Sequence, residues 1–298
     1  MTRSIELVAL TLLGALLVGC SEGTLPLPVP DDMSMPGNAG STSEAPLTPV
    51  TPEPEPEPML PAAPAALGPL TTEGGMIRIM AVGDSITAST CWRANLWQHL
   101  TQSFPGRFDL VGSSSSRQDC VAGYDADNQG YGSSLVTEIA AGITTARTCQ
   151  PTCPALSDLQ QAFSAQRADV ALMHFGTNDV WNSHPTEDIV SAYTAVVEAL
   201  RTANPRVVIL VAQIIPMNVT DATCGGCTCA GCPSNVPALN TRIVSWATEH
   251  DSADSPIRVV DQFTGYDAAL DNGDGVHPNA QGAQKIADHW FAALEPLF

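Results

Sequence analysis

Asp274 and His277 stand three residues apart in Asp274-Gly275-Val276-His277-Pro278-Asn279, so one tight turn can lay a carboxylate against an imidazole. An aspartate so placed fixes the ring's tautomer and stabilises the imidazolium, which leaves the other ring nitrogen free as a general base. Such a base needs a nucleophile. Ser85, in Gly83-Asp84-Ser85-Ile86-Thr87, offers a hydroxyl at the abrupt end of an apolar run, and a histidine can take its proton as it attacks a carbonyl. The resulting oxyanion needs donors. The candidates are the backbone N–H of Ser85, that of a glycine in Asn128-Gln129-Gly130-Tyr131-Gly132, and the side-chain amide of Asn178 in Gly176-Thr177-Asn178-Asp179. The chain order, Ser…Asp-x-x-His, differs from that of the G-x-S-x-G elbow. Each residue also has a plainer role open to it. Ser85 can cap a helix, Asp274 can shape the Asn272–Gly275 turn, His277 can cap the last helix, and Asn178 and Asp179 can cap loops. Asp84 reads as a local hydrogen-bonding residue, and His99, His174, His184, His250 and His289 read as surface or core histidines. The joint occurrence of serine, asparagine, aspartate and histidine favours chemistry.

These residues need elements to position them. Apolar runs predict strands over Ile77–Val82, Phe108–Val111, Val170–Phe175, Val207–Ala212 and Ile257–Val260. Helical periodicity predicts helices near Cys91–Phe104, Ser134–Ile143, Ala155–Gln166, Thr186–Ala203, Val236–His250 and Ala280–Leu294. Alternating strands and helices, with strands apolar throughout, imply a parallel sheet covered on both faces: a five-stranded, three-layer α/β/α domain over residues 76–298. Gly83–Thr87, Asp125–Ser134, Phe175–Asn182 and Asp274–Asn279 all fall in connections that leave strand ends, where open α/β sheets bind ligands.

Together these motifs resemble the SGNH subgroup of GDSL hydrolases over most of residues 77–294. The resemblance implies a flavodoxin-like parallel sheet and makes Ser85 the nucleophile, Asp274 and His277 its partners, and Asn178 an oxyanion donor. Gly130 aligns as the oxyanion glycine, with Gly132 as its rival. Ile77-Arg78-Ile79-Met80-Ala81-Val82, Phe108–Ser113, Asp125–Gly132, Val211–Met217, Val236–Asn240 and Val260–Ala268 are similar to family-three carbohydrate esterases, which include acetylxylan esterases. That implies removal of acetyl groups from a polysaccharide such as xylan, with no obligatory cofactor and no metal. Lipases, phospholipases and thioesterases share the superfamily and would use the same residues; a non-catalytic surface-binding lipoprotein differs in kind. Trp92, Tyr131 and Trp181 adjoin the motifs and offer either stacking faces for sugar rings or packing. Asp125 and Asp127 offer oxygen ligands for calcium, or ordinary turn chemistry.

The chain's 298 residues carry a formal net charge of −19, which excludes a basic footprint for nucleic acid. Arg3, an apolar run from Leu7 to Gly19, and Leu17-Val18-Gly19-Cys20 read as a signal peptide over residues 1–19. The last four residues resemble the lipobox of bacterial lipoproteins, which implies lipidation of Cys20 and a place in the cell envelope, anchored to a membrane. Residues 20–75 hold 13 of the 24 prolines and read as an extended tether. Of nine cysteines, Cys20 set aside leaves eight. Cys224, Cys227, Cys229 and Cys232 can hold zinc or form disulfides, and export favours disulfides. Cys91 with Cys120, and Cys149 with Cys153, are candidate pairs.

Overall fold

The computed structural model describes residues 66–72, 74–116, 120–144, 153–219 and 229–298. Strand β1 (Ile77–Gly83) is buried at every residue except Arg78, because neighbours flank it on both edges and helices cover both faces. Its parallel partners are β2 (Phe108–Leu110) and β4 (Val170–His174); β5 (Val208–Ala212) and β6 (Ile257–Val260) follow, giving the order β2-β1-β4-β5-β6. A sixth strand, β3 (Gln129–Gly130), corrects the five-stranded expectation. It pairs with β1 at Val82 and Gly83, beyond the point where β2 has turned away. Two residues are too few to show a period, and one of them is a poor strand former.

Alternate residues of the strands feed two cores. Ile77, Ile79, Leu172, Leu210 and Ala212 face helices α2 (Trp92–Ser103) and α9 (Ala280–Leu294), where the Trp92 and Trp290 ring centroids lie 6.0 Å apart. Met80, Val82, Met173 and Val211 face α3 (Val136–Ala141), α4 (Leu156–Gln166), α6 (Thr186–Ala203) and α7 (Cys232–His250). Each fully buried large aliphatic side chain contributes about 1.5–3 kcal/mol, so this double core holds the strand ends rigidly. The start of α7 lies four residues earlier than periodicity suggests, with Pro233 in its first turn, where a missing N–H does no harm. Short helices α1 (Ser85–Ser89), α5 (Thr177–Trp181) and α8 (Ala268–Asp271) complete the set used below.

Residues 66–72 correct the tether's expected end. Leu67 and Leu70 pack on the α2/α9 core and the Leu70 N–H donates to the Leu297 carbonyl at 2.8 Å. The signal peptide, Cys20 and the tether before residue 66 lie outside the described residues. Disulfides join Cys91 to Cys120 and Cys229 to Cys232, and Cys153 is disulfide-bonded as well. Oxidised sulfurs cannot serve as zinc thiolates, so for Cys229 and Cys232 the disulfide reading holds. Cys149, Cys224 and Cys227 lie outside the described residues.

Candidate active site

The sheet delivers three polar segments side by side. Gly83 at the end of β1 is in register with Gly130 of β3 on one side and His174 of β4 on the other. Ser85 follows Gly83 by two residues, Gly132 follows Gly130 by two, and Asn178 follows His174 by four. Gly83 itself must be glycine, because a Cβ there would collide with the His174 carbonyl and the Thr87 hydroxyl. Ser85 is the first residue of α1, and Asp84 caps that helix through Oδ1, which accepts the Ile86 N–H at 2.9 Å.

His277 arrives from the loop between β6 and α9. That loop rests on the segment after β5: Asn218 N–H donates to the Gly275 carbonyl at 3.0 Å and Asn272 Nδ2 to the Pro216 carbonyl at 3.1 Å. Asn279, not His277, caps α9, accepting from Gln281 and Gly282 N–H. The ring is thereby free for other work. Its Nε2 lies 2.8 Å from Ser85 Oγ and its Nδ1 lies 2.7 Å from Asp274 Oδ2. Asp274 Oδ1 accepts the Val276 N–H at 3.0 Å and the His277 N–H at 2.7 Å. One oxygen of Asp274 therefore closes the turn and the other meets the imidazole. Burial pushes this carboxyl up, but the bonds from His277 and Val276 together outweigh it and leave Asp274 below the usual carboxylate range. The pair is open to solvent, with side chains 37% and 50% exposed for His277 and Asp274.

Of the two glycines proposed as donors, Gly130 is the one the geometry disfavours. Its N–H already donates to Asn128 Oδ1 at 2.9 Å, and it is glycine for another reason, since a Cβ would meet the Ala88 nitrogen at 2.5 Å. Gly132, one residue past Tyr131, whose N–H binds the Gly83 carbonyl, has open space around its Cα and no bond from its N–H to a described residue. Both glycines stand as candidates, and Gly132 is the one whose N–H has no partner among the described residues. Asn178 Nδ2 donates to the Ser134 carbonyl at 3.1 Å, which spends one of its two hydrogens and orients the other.

Sequence reasoning read Asp179 only as a loop cap and missed the other supports that follow. Asp179 is buried and accepts from Val136 N–H at 3.0 Å, Thr137 N–H at 3.0 Å and Thr137 Oγ1 at 2.7 Å, so it caps α3 from a different helix and locks the Gly132 segment to Asn178. Arg93 is buried, and its guanidinium donates to the carbonyls of Thr87 (2.7 Å), Ala88 (3.2 Å), Ser116 (3.2 Å) and Ala126 (2.8 Å). It staples the end of α1 to the loop that leads to β3, and the Cys91–Cys120 disulfide ties the same two segments. Tyr193 Oη donates to the Phe175 carbonyl at 2.6 Å and backs Gly176, whose φ is 102°. None of these contacts follows a local spacing, so no sequence signal announces them.

Under the serine, Asp84 Oδ2 and the Thr177 and Thr87 hydroxyls are buried without a bond of good geometry, and both ring nitrogens of His174 are likewise unpartnered. Burial pushes the Asp84 carboxyl up to about 7 against the bond from Ile86 and the influence of Thr177 and His277. Burial lowers His174 to about 4, so it is a neutral core histidine. Trp92 is fully buried with its Nε1 donating to the Ile86 carbonyl, which removes it as a stacking face. Tyr131 lines a cavity of about 560 Å³ with Ser113, Pro154, Asp158 and Gln161 beside the site, and Trp181 is half-buried against the core. Asp125 is occupied by the N–H groups of Leu110 and Asp127, both at 3.2 Å.

A hydroxyl, an imidazole and a carboxylate in line, flanked by free N–H donors, can carry acyl transfer from an ester. Comparison with known proteins agrees. Residues 81–285 match the GDSL-like lipase/acylhydrolase family. A multidomain esterase of Ruminococcus flavefaciens is 27% identical over 247 residues, 80% of this chain; the chain spans 30% of that relative's length. A family 3 carbohydrate esterase from Talaromyces cellulolyticus is 30% identical with a TM-score of 0.62, over 74% of this chain and 98% of that one. An acetyl esterase mutant solved with acetate ion is 29% identical with the same TM-score and coverage. By the family match and the shared fold, this chain belongs to the GDSL-like lipase/acylhydrolase family.

Proposed function

We propose that this protein is a serine esterase that removes O-acyl groups, acetyl foremost, from a polysaccharide such as xylan. The observation that carries the reading is the relay Ser85 Oγ–His277 Nε2 at 2.8 Å and His277 Nδ1–Asp274 Oδ2 at 2.7 Å. Ser85 Oγ attacks the ester carbonyl carbon while its proton passes to His277 Nε2. The negative charge on the carbonyl oxygen is met by N–H groups of Ser85 and Gly132 and by Asn178 Nδ2. Collapse expels the sugar hydroxyl, which takes the proton from His277, and leaves acetyl-Ser85. Water then attacks, its proton goes to His277 and on to Ser85 Oγ, and acetate leaves. Asp274 keeps Nδ1 protonated throughout and stabilises the imidazolium. No metal or cofactor enters any step.

The likeness to an acetyl esterase and to a family 3 carbohydrate esterase supports acetyl as the acyl group and a glycan as its carrier. The openness of the Asp274–His277 pair supports a bulky polymer over a small enclosed ester. We further propose that the chain is exported, which the disulfides of the described residues support, and that it is lipid-anchored through Cys20. Among those residues no helix is long and apolar enough to cross a membrane. Acetate release from acetylated xylan by the full chain, beside Ser85→Ala, tests the reading. Release that the variant loses is expected. Release from neither, with turnover of long-chain acyl esters, would replace the glycan by a lipid substrate, and silence on both would overturn the enzyme.

A further inference from the structure

Where the strands begin, at the end of the sheet away from Ser85, this acidic chain gathers cations whose guanidinium groups have no hydrogen-bonded partner among the described residues. It has 12 basic against 31 acidic residues. Most described cations have internal partners: Arg93 and Arg201 bind backbone carbonyls, Arg107 binds the Phe298 carbonyl, Arg242 binds Glu187 and Glu249, and Lys285 binds Asp271. Arg258 pairs with Asp251. The guanidinium groups of Arg78, Arg167 and Arg206 make no hydrogen bond or ion pair with a described residue. All three line a single cavity of about 480 Å³.

Their placement follows from the topology. Arg78 is the second residue of β1, on the face opposite Ile77 and Ile79, and so on the side that α4 and α6 cover. Arg167 ends α4 just ahead of β4, and Arg206 follows α6 just ahead of β5. Since β1, β4 and β5 are adjacent, the three arginines stand together at the foot of three neighbouring strands and line one cavity. Arg167 holds φ at 42°, a left-handed helix cap that glycine would adopt with less strain. Among the described residues, two carboxylates stand near them. Asp169 lines the same cavity, and its Oδ2 accepts the Arg78 N–H at 2.9 Å. Asp109 of β2 is in register with Arg78; burial raises it and Arg78 opposes that rise. Among the described residues, three arginines against two carboxylates leave a positive excess in a chain whose total is −19.

We propose that this cavity binds a small oxyanion, the phosphate or the carboxylate of a ligand that reaches it from solvent. Guanidinium forks meet both groups with paired N–H bonds, and the volume lies in the range of small-molecule sites. Thr71 and Thr72 add hydroxyls along the same wall. The seven residues of β1 set it about 20 Å from Ser85, so the proposal stands independently of the esterase reading.

Titration calorimetry of the full chain at low ionic strength, with inorganic phosphate and with glucuronate, tests it; low salt keeps the charges unscreened. Saturable binding of either anion is expected, with glucose inert and Arg167→Gln/Arg206→Gln at least tenfold weaker. Phosphate alone or glucuronate alone assigns the group. Arg242→Gln, an arginine elsewhere on the surface, should bind as the parent does, and ester hydrolysis by the double variant should be unchanged. Absence of saturable binding, equal binding of glucose and glucuronate, or full binding by a correctly folded double variant would overturn the proposal.

Discussion

His277 is held by a carboxylate that is half in water, and that shapes what its removal should do. In a buried triad, aspartate-to-asparagine substitution lowers kcat by about 10⁴. Here solvent reaches Asp274, and its Oδ1 also fastens two N–H groups of the turn. Asp274→Asn keeps those turn bonds and loses only the correct ring tautomer, with water able to share the orienting role. We expect kcat to fall by about 10²–10³ with KM little changed, read in steady-state ester hydrolysis. Asn178→Ala removes one oxyanion donor and should lower kcat by about 10²–10³ as well. The two glycines separate by a different readout. Gly130→Ala places a methyl against the backbone of Ala88, an overpacking that typically costs about 1–3 kcal/mol, so the melting temperature should drop by several degrees. Gly132→Ala meets open space and should melt as the parent does. Equal melting of both variants would remove the packing explanation for Gly130.

Among the elements, α1 is the one on which the site depends and the one the sequence conceals. It is five residues long, too short to show helical periodicity, yet it sets the position of Ser85. Its two ends are fixed by side chains, Asp84 at the start and Arg93 at the finish. Arg93→Leu would leave the Thr87 carbonyl buried without its donor, at about 1–3 kcal/mol, while the Ala126 carbonyl keeps the bond from Asn128 Nδ2 at 2.9 Å. We therefore expect thermal unfolding several degrees lower and a reduced kcat, while Arg242→Leu at the surface should change neither. The same contrast explains what was legible. Long strands and helices were readable because their apolar residues repeat: α6 and α9 run over the residues that periodicity marks, Thr186–Ala203 and Ala280–Leu294. The Asp274–His277 spacing was readable because both lie in one turn. Asp179 reaching α3 and Arg93 reaching Ala126 were not. They arise from contacts between segments 33 and 43 residues apart in the chain, which no local pattern encodes.

For the whole molecule, two buried groups carry opposing pH dependences. His174 sits at about 4 in the folded chain against an ordinary 6.5, so folding holds it neutral. Its contribution is present above pH 6.5 and fades as pH falls from 6.5 toward 4, because the unfolded chain binds the proton first. Asp84 sits at about 7 against 3.8, so its neutral form is the favoured one. Its contribution is present below pH 4 and fades as pH rises through 7. The two windows nearly coincide, so between about pH 4 and 7 one contribution grows as the other fades and the pair leaves stability nearly level. His174→Gln removes one side of that balance, and stability should then fall as pH rises from 4 to 7 in a denaturation series. Asp84→Asn retains an acceptor for the Ile86 N–H and should make stability fall as pH drops from 6.5 toward 4, with a gain of up to a few kcal/mol at pH 8. Profiles in both variants that match the parent's would show that neither group contributes.

The central claim is that Ser85, activated by His277, takes the acyl group from the substrate. Intact-mass analysis of the full chain, acid-quenched during turnover of an activated acetate ester, tests this most directly. The account predicts a transient population carrying one acetyl group, mapped to the peptide that contains Ser85 and absent from Ser85→Ala. Turnover by Ser85→Ala at the parent's rate, or acetylation mapped to a residue other than Ser85, would contradict it.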